Sequence, residues 1–158
     1  MRIVDDFLPQ PFFDELVAKV ESEDFPWFYS GYVSAVSDTS DFYYIHTLYN
    51  NYKPNSGMFN AIGPVLDLLQ PKAIIRCRAI SYIGKSDLIE HGKHTDFGWP
   101  HQVCILYLNT NDGFTRLDNG DKIMSVANRA LFIDGTTVHN SSNCTNAKRR
   151  LVLTFNYF

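Results

Sequence analysis

RALFIDGTTVHNSSNCTNAKRRLVLTFNYF, residues 129–158, holds two runs of β-branched, aromatic and aliphatic residues, RALFID and RLVLTFNYF, around a stretch of Thr, Asn and Ser. Runs of this kind read as strands, and the polar stretch reads as a connection with no helix in it. The same texture extends back to Ala73 through AIIRCRAISYI, QVCILYLN and DKIMSV, separated by turn-rich NTNDG, RLDNGD and DGTT. Many short strands with hairpin-length turns indicate an antiparallel sandwich or barrel, and the lack of alternating helices argues against a parallel sheet. Residues 1–72 differ. PFFDELVAKVES (11–22) spaces Phe12, Phe13, Leu16, Val17 and Val20 along one helical face, with Pro11 suited to a first turn. SGMFNAIGPVLDLL (56–69) repeats the pattern behind the N-capping Ser56, with Pro64 placed to kink or divide it. The tyrosine-rich residues 24–55 read as irregular. The expectation is one domain over 1–158, mainly β with N-terminal helices: helical and irregular cover over 1–72 and a strand-built core over 73–158.

The chain has 158 residues, 45% hydrophobic and 20% charged, with a formal net charge of -3. A domain of this length buries roughly two thirds of its unfolded surface, so any metal is free to be functional rather than structural. The slightly acidic balance lacks the basic footprint of a phosphate-gripping surface. Cys77, Cys104 and Cys144 are odd in number and lack metal-ligand spacing, which makes them reduced core thiols. The N-terminus carries acids where a secretory leader needs a basic start, and no run reaches the length of a membrane span. The expected location is cytoplasmic, with no membrane partner.

Three of the five histidines crowd into HGKHTDFGWPH, residues 91–101. His94-Thr95-Asp96 is the pair whose spacing brings an imidazole and a carboxylate to one side of an extended chain. His139, after the strand RALFID, is the candidate third ligand; two histidines and one carboxylate suit Fe(II) and leave three positions open. His91 and His101 lack such a partner and read as solvated surface groups, and His46 as a packing histidine. In the last strand, alternation puts Arg150, Val152, Thr154 and Asn156 on one face and Arg149, Leu151, Leu153 and Phe155 on the other. On the usual rule the first set is the solvent face. In a barrel whose mouth holds a ligand it points inward, and an arginine there suits a carboxylate.

His94-x-Asp96, CILYLNTNDG, RALFIDGTTVH ending in His139, and RRLVLTFNYF with Arg150 follow one another in an order that resembles the Fe(II)- and 2-oxoglutarate-dependent oxygenases. The resemblance covers residues 73–158 and is to the compact prolyl 4-hydroxylase-like type, similar to short stand-alone viral and bacterial members, which also carry segments like HTLYNNYKPNS. It implies a double-stranded β-helix, a jelly roll of cupin-like kind. It also implies a dioxygenase that hydroxylates an unactivated C–H bond with release of succinate and CO2. His94, Asp96 and His139 match its metal triad; Arg150 and Tyr107 match residues that hold the distal carboxylate of 2-oxoglutarate. Thr154 and Asn156 share Arg150's face as further cosubstrate contacts, and Tyr82 is either cavity wall or core. Val138 stands where many relatives have proline, and DGFTR has one glycine where a pair is common.

The implied partners are 2-oxoglutarate and dioxygen. A protein side chain such as proline is the favoured primary substrate, with nucleic acid and small molecules as further classes the family uses. Phe97, Trp99 and residues 42–52 either border a substrate groove or supply packing. Two other readings remain at this stage: a cupin-like metalloprotein that does not use 2-oxoglutarate, and a non-catalytic jelly-roll binding module.

Overall fold

The computed structural model describes residues 1–34 and 41–158. Residues 35–40, part of the segment read as irregular, lie outside the described residues. Eleven strands, two α-helices and one 3₁₀ segment make up the described chain. The larger sheet runs β1 (Arg2–Val4), β9 (Arg129–Asp134), β6 (Gln102–Tyr107), β11 (Arg149–Tyr157), β5 (Ile74–Ile83), β3 (Tyr43–Asn50) and β2 (Phe28–Ser30), with β4 (Lys53–Pro54) paired to β3. The smaller sheet runs β10 (His139–Ser141), β7 (Phe114–Leu117) and β8 (Lys122–Met124). Every strand pair is antiparallel. This is the two-sheet jelly roll the sequence implied.

The larger sheet is covered on both faces. One face packs Cys77, Ala79, Leu106, Leu151, Leu153 and Phe155 against Phe13, Leu16 and Val20 of α1 (Gln10–Glu21) and Val65 of α2 (Gly63–Leu69). The other turns Tyr43, Ile80, Tyr82, Ile105, Tyr107 and Val152 toward Leu117 and Ile123 of the smaller sheet. The hydrophobic-in, polar-out rule for β11 therefore fails: both its faces are buried from Arg150 to Asn156. Its polar face looks into the jelly roll.

The N-terminal half contributes more sheet than its sequence announced. Residues 43–50, read as irregular cover, form an eight-residue strand paired along β5, and β1 pairs with β9. Their tyrosines and isoleucine suit a strand, but apolar residues in both phases hide any alternation. Helix α1 forms as expected with Pro11 in its first turn, yet buries Phe13, Leu16 and Val20 and leaves Phe12 exposed. Ser56 caps the second segment by accepting from Met58 N, and Pro64 divides it into a 3₁₀ run, Gly57–Ile62, and α2. Among the described residues no helix is long and apolar enough to cross a membrane.

Candidate functional site

The site lies between the sheets, in a cavity lined by Arg78, His94, Asp96, Thr115, His139, Arg150 and Thr154, with Tyr43, Ile80, Tyr82, Ile105 and Val152 as its apolar wall. Its free volume is about 40 Å³, the scale of a few ordered waters.

His94 and His139 are brought together by the backbone. Each donates its amide to the other's carbonyl at 2.9 Å, an isolated antiparallel bridge that extends the smaller sheet past β10. Directly opposed residues of an antiparallel pair project to one face, and the two imidazole centroids stand 4.7 Å apart. Both rings solve their hydrogen bonding alike. His94 Nδ1 donates to Gly92 O at 3.2 Å and His139 Nδ1 to Thr137 O at 2.9 Å. A carbonyl only accepts, so Nδ1 of each ring is the donor and Nε2 is the atom left for another partner. Burial, reinforced by His139, lowers the pKa of His94 and favours its neutral form, with a lone pair on Nε2.

Arg150 faces the cavity as the strand phase required. It is 1% exposed, and its partners are Ser125 Oγ at 2.7 Å, Ser142 O at 3.1 Å and Thr115 Oγ1 at 3.1 Å. The rings of Tyr82 and Tyr107 stand 5.2 and 5.5 Å from its guanidinium carbon. Among the described residues no carboxylate pairs with it. A buried charge held only by neutral groups is costly, several kcal/mol for the ion after relaxation, unless an anion completes it. Tyr107 is fully buried and donates to Thr115 Oγ1 at 2.9 Å, so it reaches the cavity through that hydroxyl. Arg149 points outward, 3.7 Å from Glu21. Gly113 presses on Arg150 from below: a Cβ there would lie 2.5 Å from Arg150 Cδ and 2.4 Å from Asn143 O.

Asp96 shares the cavity with the two histidines but is held from another side. Its Oδ1 accepts from Arg76 at 2.7 Å and Arg78 at 3.4 Å, and its Oδ2 from Asn156 Nδ2 at 2.9 Å. Burial opposes its charge, but Arg78 and Arg76 outweigh burial and bring its pKa down to about 2. Burial and the neighbouring Arg78 in turn pull Arg76 down to about 10. Asn156 does not face the cosubstrate cavity as expected; it links Arg76, Asp96 and His101. Thr154 lines the cavity with its Oγ1 buried and unpartnered among the described residues.

Two histidines read as solvated surface groups are buried. His101 donates through Nδ1 to Trp99 O at 2.9 Å and accepts at Nε2 from Asn156 at 3.1 Å, so it stands behind Asp96. His91 contacts Ser141 Oγ at 2.8 Å and the buried Asp41 at 3.2 Å, and stacks on Tyr82. Their partners lie about fifty residues away in the chain, beyond the reach of local spacing. His46 is the packing histidine expected, buried against Phe25 and bonded to Ser56. Tyr82 is both wall and core, stacked between Tyr43 and His91. Of the tyrosine-rich segment, Tyr43 reaches the cavity, Tyr49 packs on the core, and Tyr52 is 93% exposed. Phe97 and Trp99 stack on one another and border a separate surface groove with Phe158.

Sequence reasoning missed Arg76 and Arg78. The signal was present in AIIRCRAISYI: two arginines at i and i+2 on one face of an apolar strand need an anion to face.

The donor set has the chemistry for a divalent transition metal, with two imidazoles and an ionised carboxylate in one cavity. Among the described residues, no three His, Cys, Asp or Glu side chains converge closely enough to hold an ion, and Asp96 is paired with Arg76 and Arg78.

No protein-family profile matches the sequence, and no curated protein matches it. Solved structures do match. A Pseudomonas putida prolyl-4-hydroxylase superposes with TM-score 0.68 at 15% identity, over 99% of this chain and 90% of that one. A Trichoplax adhaerens prolyl hydroxylase in complex with a hypoxia-inducible-factor oxygen degradation domain peptide gives 0.68 at 15%, over 99% and 82%. The non-heme alpha-ketoglutarate-dependent epimerase SnoN of nogalamycin biosynthesis gives 0.69 at 12%, over 99% and 76%. At such identities the likeness speaks for architecture. This chain shares its jelly-roll fold with these three solved structures.

Proposed function

We propose that this chain is an Fe(II)- and 2-oxoglutarate-dependent dioxygenase that hydroxylates an unactivated C–H bond. The observation that carries the reading is Arg150, a fully buried guanidinium with hydroxyl and carbonyl partners only, in the same cavity as the paired rings of His94 and His139. A dianionic keto acid answers both ends of that cavity. A cupin-like metalloprotein without 2-oxoglutarate, or a binding module without metal, leaves the charge of Arg150 unexplained.

Nε2 of His94, Nε2 of His139 and the Asp96 carboxylate would hold the iron. Together with 2-oxoglutarate and dioxygen, that metal supplies the oxidation: the keto acid leaves as succinate and CO2, and one oxygen atom enters the substrate C–H bond. The carbonyls of Gly92 and Thr137 fix the tautomers that present Nε2. Arg150 receives the distal carboxylate, with Thr115 and, through it, Tyr107 completing the polar end. Thr154 lines the same chamber, while Ile105, Val152, Tyr43 and Tyr82 exclude water from it. His101 and Asn156 position Asp96 without touching the reaction.

A protein side chain such as proline is the favoured substrate; the support is likeness to a prolyl hydroxylase seen with a peptide. Three unpaired, buried cysteines suit a reducing compartment such as the cytoplasm. Calorimetric titration of Mn(II)-loaded protein with 2-oxoglutarate tests the reading. Arg150→Ala is expected to weaken binding at least tenfold and Arg149→Ala less than twofold; equal effects of the two would overturn it.

A further inference from the structure

Arg78 lines the cavity beside His94 and Asp96, yet the proposed chemistry gives it no task. Its side chain is 18% exposed and makes a long 3.4 Å approach to Asp96. Its Nε is buried and unpartnered among the described residues. Both carboxylate oxygens of Asp96 have shorter bonds than this one, from Arg76 at 2.7 Å and Asn156 at 2.9 Å. Arg76 is further occupied by Asn156 and by the ring of Phe97, 4.7 Å from its guanidinium carbon. Directly across the strand pair from Arg78, at Cα register, stands Thr154, whose Oγ1 is likewise buried and unpartnered. Two orphaned polar groups are thus cross-strand neighbours on the cavity wall.

Charge points the same way. In the loaded site a divalent cation and Arg150 carry three formal positive charges, and 2-oxoglutarate and Asp96 carry three negative ones. Arg76 and Arg78 are left over. Any bond Asp96 makes to a metal is also withdrawn from these two guanidiniums. Charges this deeply placed are held by anions, and an arginine fork matches a carboxylate or phosphate in two parallel hydrogen bonds.

We propose that the molecule hydroxylated here carries an anionic group, a carboxylate or a phosphate, received by Arg78 and the Thr154 hydroxyl with Arg76 behind them. This rests on the oxygenase reading and narrows its substrate class: a neutral peptide segment leaves Arg78 unanswered, whereas an acidic residue, a free carboxylic acid or a phosphorylated compound fits.

The test uses full-length protein loaded with Mn(II), which binds without turning over, and saturating 2-oxoglutarate, whose binding is measured first. Calorimetric titrations with inorganic phosphate and with acetate follow, in wild type, Arg78→Gln and Arg78→Lys. A saturable anion site is expected in wild type, at least tenfold weaker in Arg78→Gln and partly restored in Arg78→Lys. Tighter phosphate binding assigns a phosphorylated substrate and tighter acetate binding a carboxylic acid. If 2-oxoglutarate binds but neither anion does, or Arg78→Gln binds them as wild type does, the anion site is wrong and the oxygenase reading stands. If 2-oxoglutarate itself does not bind, both fall.

Discussion

Replacing Asp96 with asparagine keeps the shape of the side chain and removes the one negative charge that, among the described residues, pairs with Arg76 and Arg78. In the folded chain Asp96 titrates near 2 against an ordinary 3.8. At roughly 1.36 kcal/mol per pKa unit, its ionised form contributes about 2 kcal/mol to folding at neutral pH. Because the folded value lies below the unfolded one, this contribution is complete above about pH 4 and is lost as pH falls through about 2; about half remains near pH 3. Urea unfolding of chelator-treated protein measures it. With slopes of roughly 1–3 kcal/mol per molar urea, Asp96→Asn should unfold about 1 M earlier than wild type at pH 7. The gap should narrow to about half near pH 3. Equal midpoints at pH 7, or a gap that does not change with pH, would refute the claim that these arginines hold the carboxylate.

Two further outcomes follow from packing. Gly113→Ala places a methyl group 2.5 Å from Arg150 Cδ and 2.4 Å from a backbone oxygen, so it should cost roughly 1–3 kcal/mol of stability and weaken 2-oxoglutarate binding severalfold; calorimetry showing wild-type affinity would mean that Arg150 is not held by this contact. Burial pushes the Cys77 thiol up to about 12 and raises those of Cys104 and Cys144, so none should react with a thiol reagent at pH 7.5 until the chain unfolds. Rapid labelling of the native protein would contradict their place in the core.

What the sequence disclosed was periodic and local. Alternation in RRLVLTFNYF assigned Arg150 and Thr154 to one face, and both line the cavity. Ser56 and Pro64 marked a cap and a break that the chain uses. What it hid was long-range. His94 and His139 meet through a backbone bridge between residues 45 positions apart, and nothing in either segment announces that pairing. His91 and His101 looked exposed because Asp41, Ser141 and Asn156 come from distant segments of the chain. Residues 43–50 form the strand next to the edge of the larger sheet without a readable pattern, since apolar residues fall in both phases. The arginines of β5 were visible, but their position on a buried face depends on the cover that the N-terminal half provides.

Anaerobic titration of the purified protein with Fe(II) and then 2-oxoglutarate tests the central claim most directly, because a keto acid chelated to Fe(II) gives a weak visible charge-transfer band. The band should grow to one keto acid per chain and be absent in His94→Ala and His139→Ala. Iron uptake without a band would contradict the 2-oxoglutarate site, and a band that survives loss of either histidine would contradict the metal site built on their paired rings.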